Sequence, residues 1–221
     1  MSVIHAEALW RPLPPVGYDD EGYPCESRNV TESSSHDDVL NYFRNSAFAL
    51  LADQDEAMVQ ERLLILFEQV NPRAAVEPDI TIALGVGRHH RNSYKIWIEG
   101  QPPDLVVEGL SEKTWRRDVD IKPALYGDLG IREFWQIDPL GRLPEPVTGY
   151  RLHHGVYQPI SPTSSGAYPS DVLNAELSYD RVEMSIRNKA NGERIPPLHK
   201  VMRQRDEAIA RIAELEARLK R

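Results

Sequence analysis

The chain has 221 residues, 41% hydrophobic and 27% charged, and a formal net charge of −8. That length suits one well-filled domain with appendages or two small ones, and the composition is ordinary for a soluble globular protein. No apolar run approaches the ~18 residues that cross a bilayer, so no membrane partner is expected.

The N-terminus lacks the basic and apolar segments of a signal peptide. The single cysteine, Cys25, excludes an intramolecular disulfide and fits a reducing cytoplasm. Residues 1–34 read as an extended acidic arm, because Pro12, Pro14, Pro15, Pro24 and the acidic run from Asp19 offer little for a core. Residues 1–40 alone carry −6, so the remaining chain sums to only −2.

The SSSHDDVL segment predicts a helix capped by Ser34 or Ser35, with Asp37 and Asp38 in its first turn. Val39, Leu40, Phe43, Phe48 and Leu51 give it an apolar face. ERLLILFE, from Glu61, reads as a short buried strand, and Asn71-Pro72 marks a turn. Strands are expected over Pro78–Leu84 and Asp104–Leu110, with a brief extended piece at Tyr94, Ile96 and Ile98 between them. A helix over Asp118–Asp128 should stop at Gly130. Arg132–Asp138 reads as a third core strand, and the sequence around His154-Gly155 as a hairpin. Residues 161–180 read as loop-rich, followed by one more strand over Arg181–Asn188.

From Leu198 the pattern changes. Val201, Arg205, Ala208, Ile212, Leu215 and Leu219 recur at steps of four and three, a heptad seam with one basic member. The expected organisation is a mixed α/β domain over 35–190 and a coiled-coil-like helix over 198–221, through which a homodimer could form.

The chemistry concentrates between Glu77 and Tyr126. Side chains alternate along a strand, so Asp104, Val106 and Glu108 share a face. A glutamate inside an apolar strand is costly to bury without a cation or hydrogen bond. Asp79 opens a separate apolar strand. If the two strands are neighbours, both carboxylates can converge on a hard cation with oxygen ligands, magnesium by default and manganese as an alternative. Lys122, on the following helix, is the nearest amine. Arg88, Arg91 and Lys95 form one basic cluster and Lys113, Arg116 and Arg117 another, each a candidate for phosphate contacts. The plainer alternatives are that Asp79 and Asp104 mark strand entrances, that Lys122 and Glu108 form a structural ion pair, and that the basic clusters are solvated loops. His89-His90 and His153-His154 read as exposed pairs. Neither a G-x-S-x-G elbow nor a phosphate-binding G-x-x-x-x-G-K loop is present.

EPDITIALGV, SYKIWIEGQPPDLVVEGLS, RRDVDIKPALYGDLGIREFWQIDP and TGYRL together resemble the Uma2 family of prokaryotic endonucleases, over roughly residues 35–190. The resemblance implies a restriction-endonuclease-like fold, a mixed central sheet flanked by helices, and a PD-(D/E)-x-K site. It implies that Asp79 and Glu108 bind the metal, that Lys122 is the catalytic lysine and that Asp104 is an auxiliary acid at the site's edge. His36 matches a histidine often found at that position, without an assigned role. Three positions depart from the pattern. Leu110 stands where a lysine usually shares the strand face, Pro123 follows Lys122, and Gly109 replaces the more usual valine and should loosen the strand. The function expected is metal-dependent hydrolysis of DNA phosphodiesters in the cytoplasm. The alternative is a catalytically silent nuclease fold used for binding or assembly.

Overall fold

Six strands build the central sheet, in the order β11-β10-β9-β8-β6-β3. They are β3 (Ala57–Glu61), β6 (Ile80–Leu84), β8 (Leu105–Gly109), β9 (Glu133–Ile137), β10 (Val147–His153) and β11 (Val156–Pro159). The computed structural model describes residues 15–18, 21–27, 34–112 and 115–219. All neighbouring pairs in this sheet are antiparallel except β8 and β9, which run parallel. A parallel pair needs a crossover. Here helices α3 (Trp115–Asp120) and α4 (Lys122–Leu129) make it, so the chain leaving the end of β8 folds back over the sheet.

Alternation divides the two faces. Leu105, Val107, Ile80 and Ile82 pack with helix α1 (Ser34–Leu50) and with a second, three-stranded sheet. Val106, Ala83 and Phe134 point the other way, onto Leu125 and Tyr126 of α4. The second sheet comprises β12 (Tyr168–Ser170), β13 (Ala175–Tyr179) and β14 (Met184–Asn188). A small third sheet joins β4 (Ile65–Leu66), β5 (Ala75–Val76) and β7 (Tyr94–Lys95).

Several elements differ from expectation. Within the N-terminal arm, β1 (Pro15–Tyr18) and β2 (Pro24–Ser27) pair as a two-stranded sheet. Tyr23 donates to the Gln69 carbonyl at 2.8 Å and its ring lies 5.4 Å from that of Trp97, so the arm is pinned to the third sheet rather than merely extended. Pro12, Pro14, Asp19 and the side chains of Ser34 and Ser35 lie outside the described residues. On α1, Phe43 and Ala47 are buried, as is Leu51 just past its end, while Phe48 is half exposed, which moves the apolar stripe one position. Of ERLLILFE, Glu61 ends β3 and only Ile65 and Leu66 form the further strand β4. The edge strand β3 has an apolar run of only three residues, Ala57 to Val59, which is too short to stand out. Ile96 and Ile98 belong to a single helical turn, α2 (Ile96–Glu99), closed by Gly130-like left-handed backbone at Gly100 (φ 78°). The stretch 161–180 holds β12 and β13, not loop alone.

The crossover helix begins at Trp115, earlier than expected, and breaks at Ile121. Pro123 sits in the first turn of α4, where its missing N–H has no helical partner to lose. Gly130 ends α4 in the left-handed conformation, as expected, at φ 84°. The hairpin turn at His154-Gly155 has positive φ at both residues (49° and 79°). The C-terminal helix, α5 (Leu198–Leu219), has no buried side chain. Among the described residues, no helix is long and apolar enough to cross a membrane.

Candidate active site

The antiparallel register of β6 and β8 pairs Ile80 with Val107 and Thr81 with Val106. Carried one residue further, it sets Asp79 opposite Glu108. Both positions have the parity of Val106 and Ala83, so both belong to the face covered by α4. Asp79 Oδ2 accepts a hydrogen bond from the Gly109 amide at 2.8 Å, fixing the carboxylate at the end of β8. Glu108 is 2% exposed.

Helix α4 delivers the amine. Lys122 Nζ lies 2.5 Å from Glu108 Oε1 and 2.8 Å from Asp118 Oδ1, in a side chain that is almost wholly buried. The Tyr126 hydroxyl donates a short hydrogen bond to the same Glu108 oxygen. Asp118 is held by its own backbone as well, since its carbonyl accepts from Gln136 Nε2 at 2.8 Å, and Gln136 is the register partner of Glu108 on β9. Asp118, Lys122 and Tyr126 recur every fourth residue, which stacks them on one face of the α3–α4 segment.

Electrostatics follow from this enclosure. Burial pushes the Glu108 carboxyl well above its usual range; Lys122 pulls it back, and the Asp118 and Asp79 charges raise it further. Burial alone would lower the Lys122 ammonium, but Glu108, Asp118 and Asp79 more than offset that, so its net shift is upward. Lys122 is thus a permanent cation here, suited to stabilising negative charge and not to accepting a proton. Burial and the neighbouring Glu108 also hold the Tyr126 hydroxyl in its protonated, donating form.

On the opposite face of β8, His36 of α1 fills the space left by Gly109. Its Nε2 lies 3.1 Å from the Gly109 carbonyl oxygen and 3.9 Å from Asp79 Oδ2. A β-carbon at position 109 would overlap the imidazole and press on Leu40. Gly109 therefore does not loosen the strand. It is buried and paired within β8, and its missing side chain is what admits His36.

The other expected site residues lie elsewhere. Asp104 is at the opposite end of β8 from Glu108, about 13 Å of strand away. Its oxygens accept from the Leu84 amide (2.8 Å) and Arg132 (2.9 Å), so it is a strand-end clamp and not an edge of the site. Arg88 binds the carbonyls of Leu51, Ala52, Gln54 and Ala57. Arg91 is buried against Glu99 and three backbone carbonyls. Lys95 pairs with Glu21 at 2.9 Å and sits over the Tyr23 ring. These three cations are consumed by the fold rather than available to phosphate. Arg116 is exposed, 5.3 Å over the Trp115 ring, and Arg117 is half-buried; both are on α3, two residues and one residue before Asp118. Lys113 lies outside the described residues. His89, His90, His153 and His154 are exposed.

Asp118 and Tyr126 were not singled out from sequence as site members, although their four-residue spacing around Lys122 carried the signal. Asp79 also borders an open cleft of about 240 Å³ on the α1 side of the sheet, lined with Asp37, Leu40, Asn41, Glu61 and Arg62. Among the described residues, no three metal-ligating side chains converge closely enough to hold an ion by themselves. The charge balance nonetheless suits a divalent cation. The Asp79, Glu108 and Asp118 carboxyls face one ammonium, and a divalent cation would favour the ionised form of Glu108 that burial disfavours. Asp79, Glu108 and the Gly109 carbonyl offer the oxygen donors that a hard ion prefers, with water completing the shell.

A mixed sheet with an acid on each of two neighbouring strands and a lysine from the crossover helix is a nuclease-type arrangement. The family model described as putative restriction endonuclease, Uma2, matches residues 30–183, and the chain belongs to that family. Among solved structures, a putative nuclease of DUF820 from Anabaena variabilis ATCC 29413 is similar in fold. The TM-score is 0.50 at 16% identity, over 72% of this chain and 86% of that one. No curated protein matches the chain.

Proposed function

We propose that the protein is a metal-dependent endonuclease that hydrolyses DNA phosphodiesters in the cytoplasm, through a nuclease domain spanning residues 35–190. The observation that carries this reading is the meeting of Asp79, Glu108 and Lys122 at one strand end. Asp79 and Glu108 would hold magnesium or manganese, with the Gly109 carbonyl as a third oxygen. When bound, such an ion polarises the phosphodiester and lowers the pKa of a coordinated water. Lys122, fixed as an ammonium, stabilises charge that builds on the phosphoryl oxygens. Tyr126 and Asp118 hold Glu108 and Lys122 in place from the helix side. Arg116 and Arg117 on α3, with Arg62 beside Asp79, are the basic side chains that would meet the backbone of the substrate. In the net reaction a water oxygen joins phosphorus as the phosphorus–oxygen bond to the departing sugar breaks.

The test is cleavage of supercoiled plasmid by purified protein with magnesium or manganese, beside Asp79→Ala. Nicking by the parent and not by the variant supports the reading; equal nicking by both traces the activity to a contaminant.

One observation favours a second reading, a silent nuclease fold that serves in binding or assembly. Lys122 already neutralises part of the charge on Glu108 and Asp118. Failure of any divalent ion to bind, by calorimetry, together with no cleavage, selects it.

A further inference from the structure

We infer that helix α5 is a self-association device that pairs two copies of the chain as a parallel, two-stranded coiled coil. The helix spans 22 residues, about 33 Å, and none of its side chains is buried on the rest of the protein. An amphipathic helix left wholly in water leaves its apolar stripe unused. Ile212 is 56% exposed and Leu215 45%.

The stripe has the period of a coiled-coil seam. Leu198, Arg205, Ile212 and Leu219 fall at a positions, and Val201, Ala208 and Leu215 at d. Met202 and Ile209, at e, widen the apolar surface on one flank. A second copy is the occupant that matches this period, because the same seam on another chain provides the holes that these knobs require.

Charge sets the orientation. In a parallel pair, each g position faces the e position five residues later on the other helix. Arg211 (g) then meets Glu216 (e) of the second copy, and symmetry makes the contact twice. An antiparallel pair places g beside g, and the g positions are Gln204, Arg211 and Arg218, which offer no acidic partner. Within the single helix, Arg211 and Arg218 both lean on Glu214, at 2.7 and 2.6 Å. Arg205 occupies an a position with its guanidinium 2.8 Å from Asp206. A charged a residue is better tolerated in two strands, where it reaches solvent, than in the more enclosed seam of three or four. Three heptads make a weak coil, so association should be reversible and dependent on concentration.

Sedimentation equilibrium of the full chain, without nucleic acid or metal, tests the proposal. The expected mass rises from one chain towards two across the micromolar range, and Ile212→Lys remains a single chain with an unchanged circular dichroism spectrum in the strand region. Arg211→Glu and Glu216→Arg each weaken the dimer at least tenfold, and the double exchange restores it. A parent that stays monomeric throughout overturns the proposal, including the case where it instead binds anionic vesicles. A double exchange as weak as the single variants overturns the parallel orientation. The readout is mass alone, so it stands or falls separately from nuclease activity.

Discussion

The Asp79 carboxylate accepts the Gly109 amide at 2.8 Å, directly beyond Glu108, so one acid both fixes the strand end and faces its partner acid. The two duties can be separated. Asp79→Ala leaves the Gly109 amide without its partner and should cost about 1–3 kcal/mol of stability. Asp79→Asn keeps an oxygen for that amide and should melt near the parent. Both should lose manganese binding. Thermal melts beside calorimetric titration check this, and retained binding in Asp79→Asn would remove Asp79 from the ligand set.

Glu108 pays for its position in stability. Its folded pKa is raised by burial, so the fold prefers the protonated acid. The sign is then fixed. The preference stabilises the fold fully below the unfolded carboxylate pKa and is lost as pH rises through the higher folded value. Glu108→Gln, which mimics the protonated acid, should therefore melt close to the parent at pH 4 and above it at pH 8. The gain should be roughly 2–4 °C for each kcal/mol recovered. Activity should vanish in the same variant. A melting difference that does not grow with pH contradicts the account.

Lys122 touches a Glu108 oxygen at 2.5 Å, so a divalent ion held by Glu108 would have to share that oxygen with the ammonium. Removing the ammonium in Lys122→Met leaves Glu108 and Asp118 buried beside each other, at a cost of about 3–5 kcal/mol without metal. Manganese should recover more stability in this variant than in the parent, and cleavage should be lost. Equal manganese-induced shifts in melting temperature would show that the lysine and the ion do not share a site.

Gly109 and His36 are fitted to one another. Gly109→Val should be destabilised by about 1–3 kcal/mol through the overlap with the imidazole. The same valine placed in a His36→Ala background should cost less, because the ring is gone. Four chemical-denaturation curves form the cycle, and additive costs would argue against the contact.

How much was legible in the sequence depends on whether a local signal reports a distant partner. Asp79 and Glu108 were legible because a carboxylate within an apolar strand is expensive wherever the strand goes. Lys122 followed from the crossover that any helix between parallel strands must make. Asp118 and Tyr126 had the right helical spacing, but nothing local says which helix face meets the sheet. Arg88, Arg91 and Lys95 misled because an arginine that binds four backbone carbonyls has the same neighbours in sequence as one in solvent. The edge strand β3 was missed since its apolar run is only three residues long and is bounded by polar residues on both sides. β12 and β13 were missed because Pro169 and the serine-rich approach suggest a loop, whereas their pairing is made with each other and with β14.

The strand that carries Glu108 is interior, flanked by β6 on one side and β9 on the other. Its amide protons should thus exchange with deuterium only when the whole sheet comes apart. Lys122 stands at a helical break, after Ile121, where smaller openings suffice. Half of the site consequently shares the lifetime of the native state, while the other half can breathe on a faster clock.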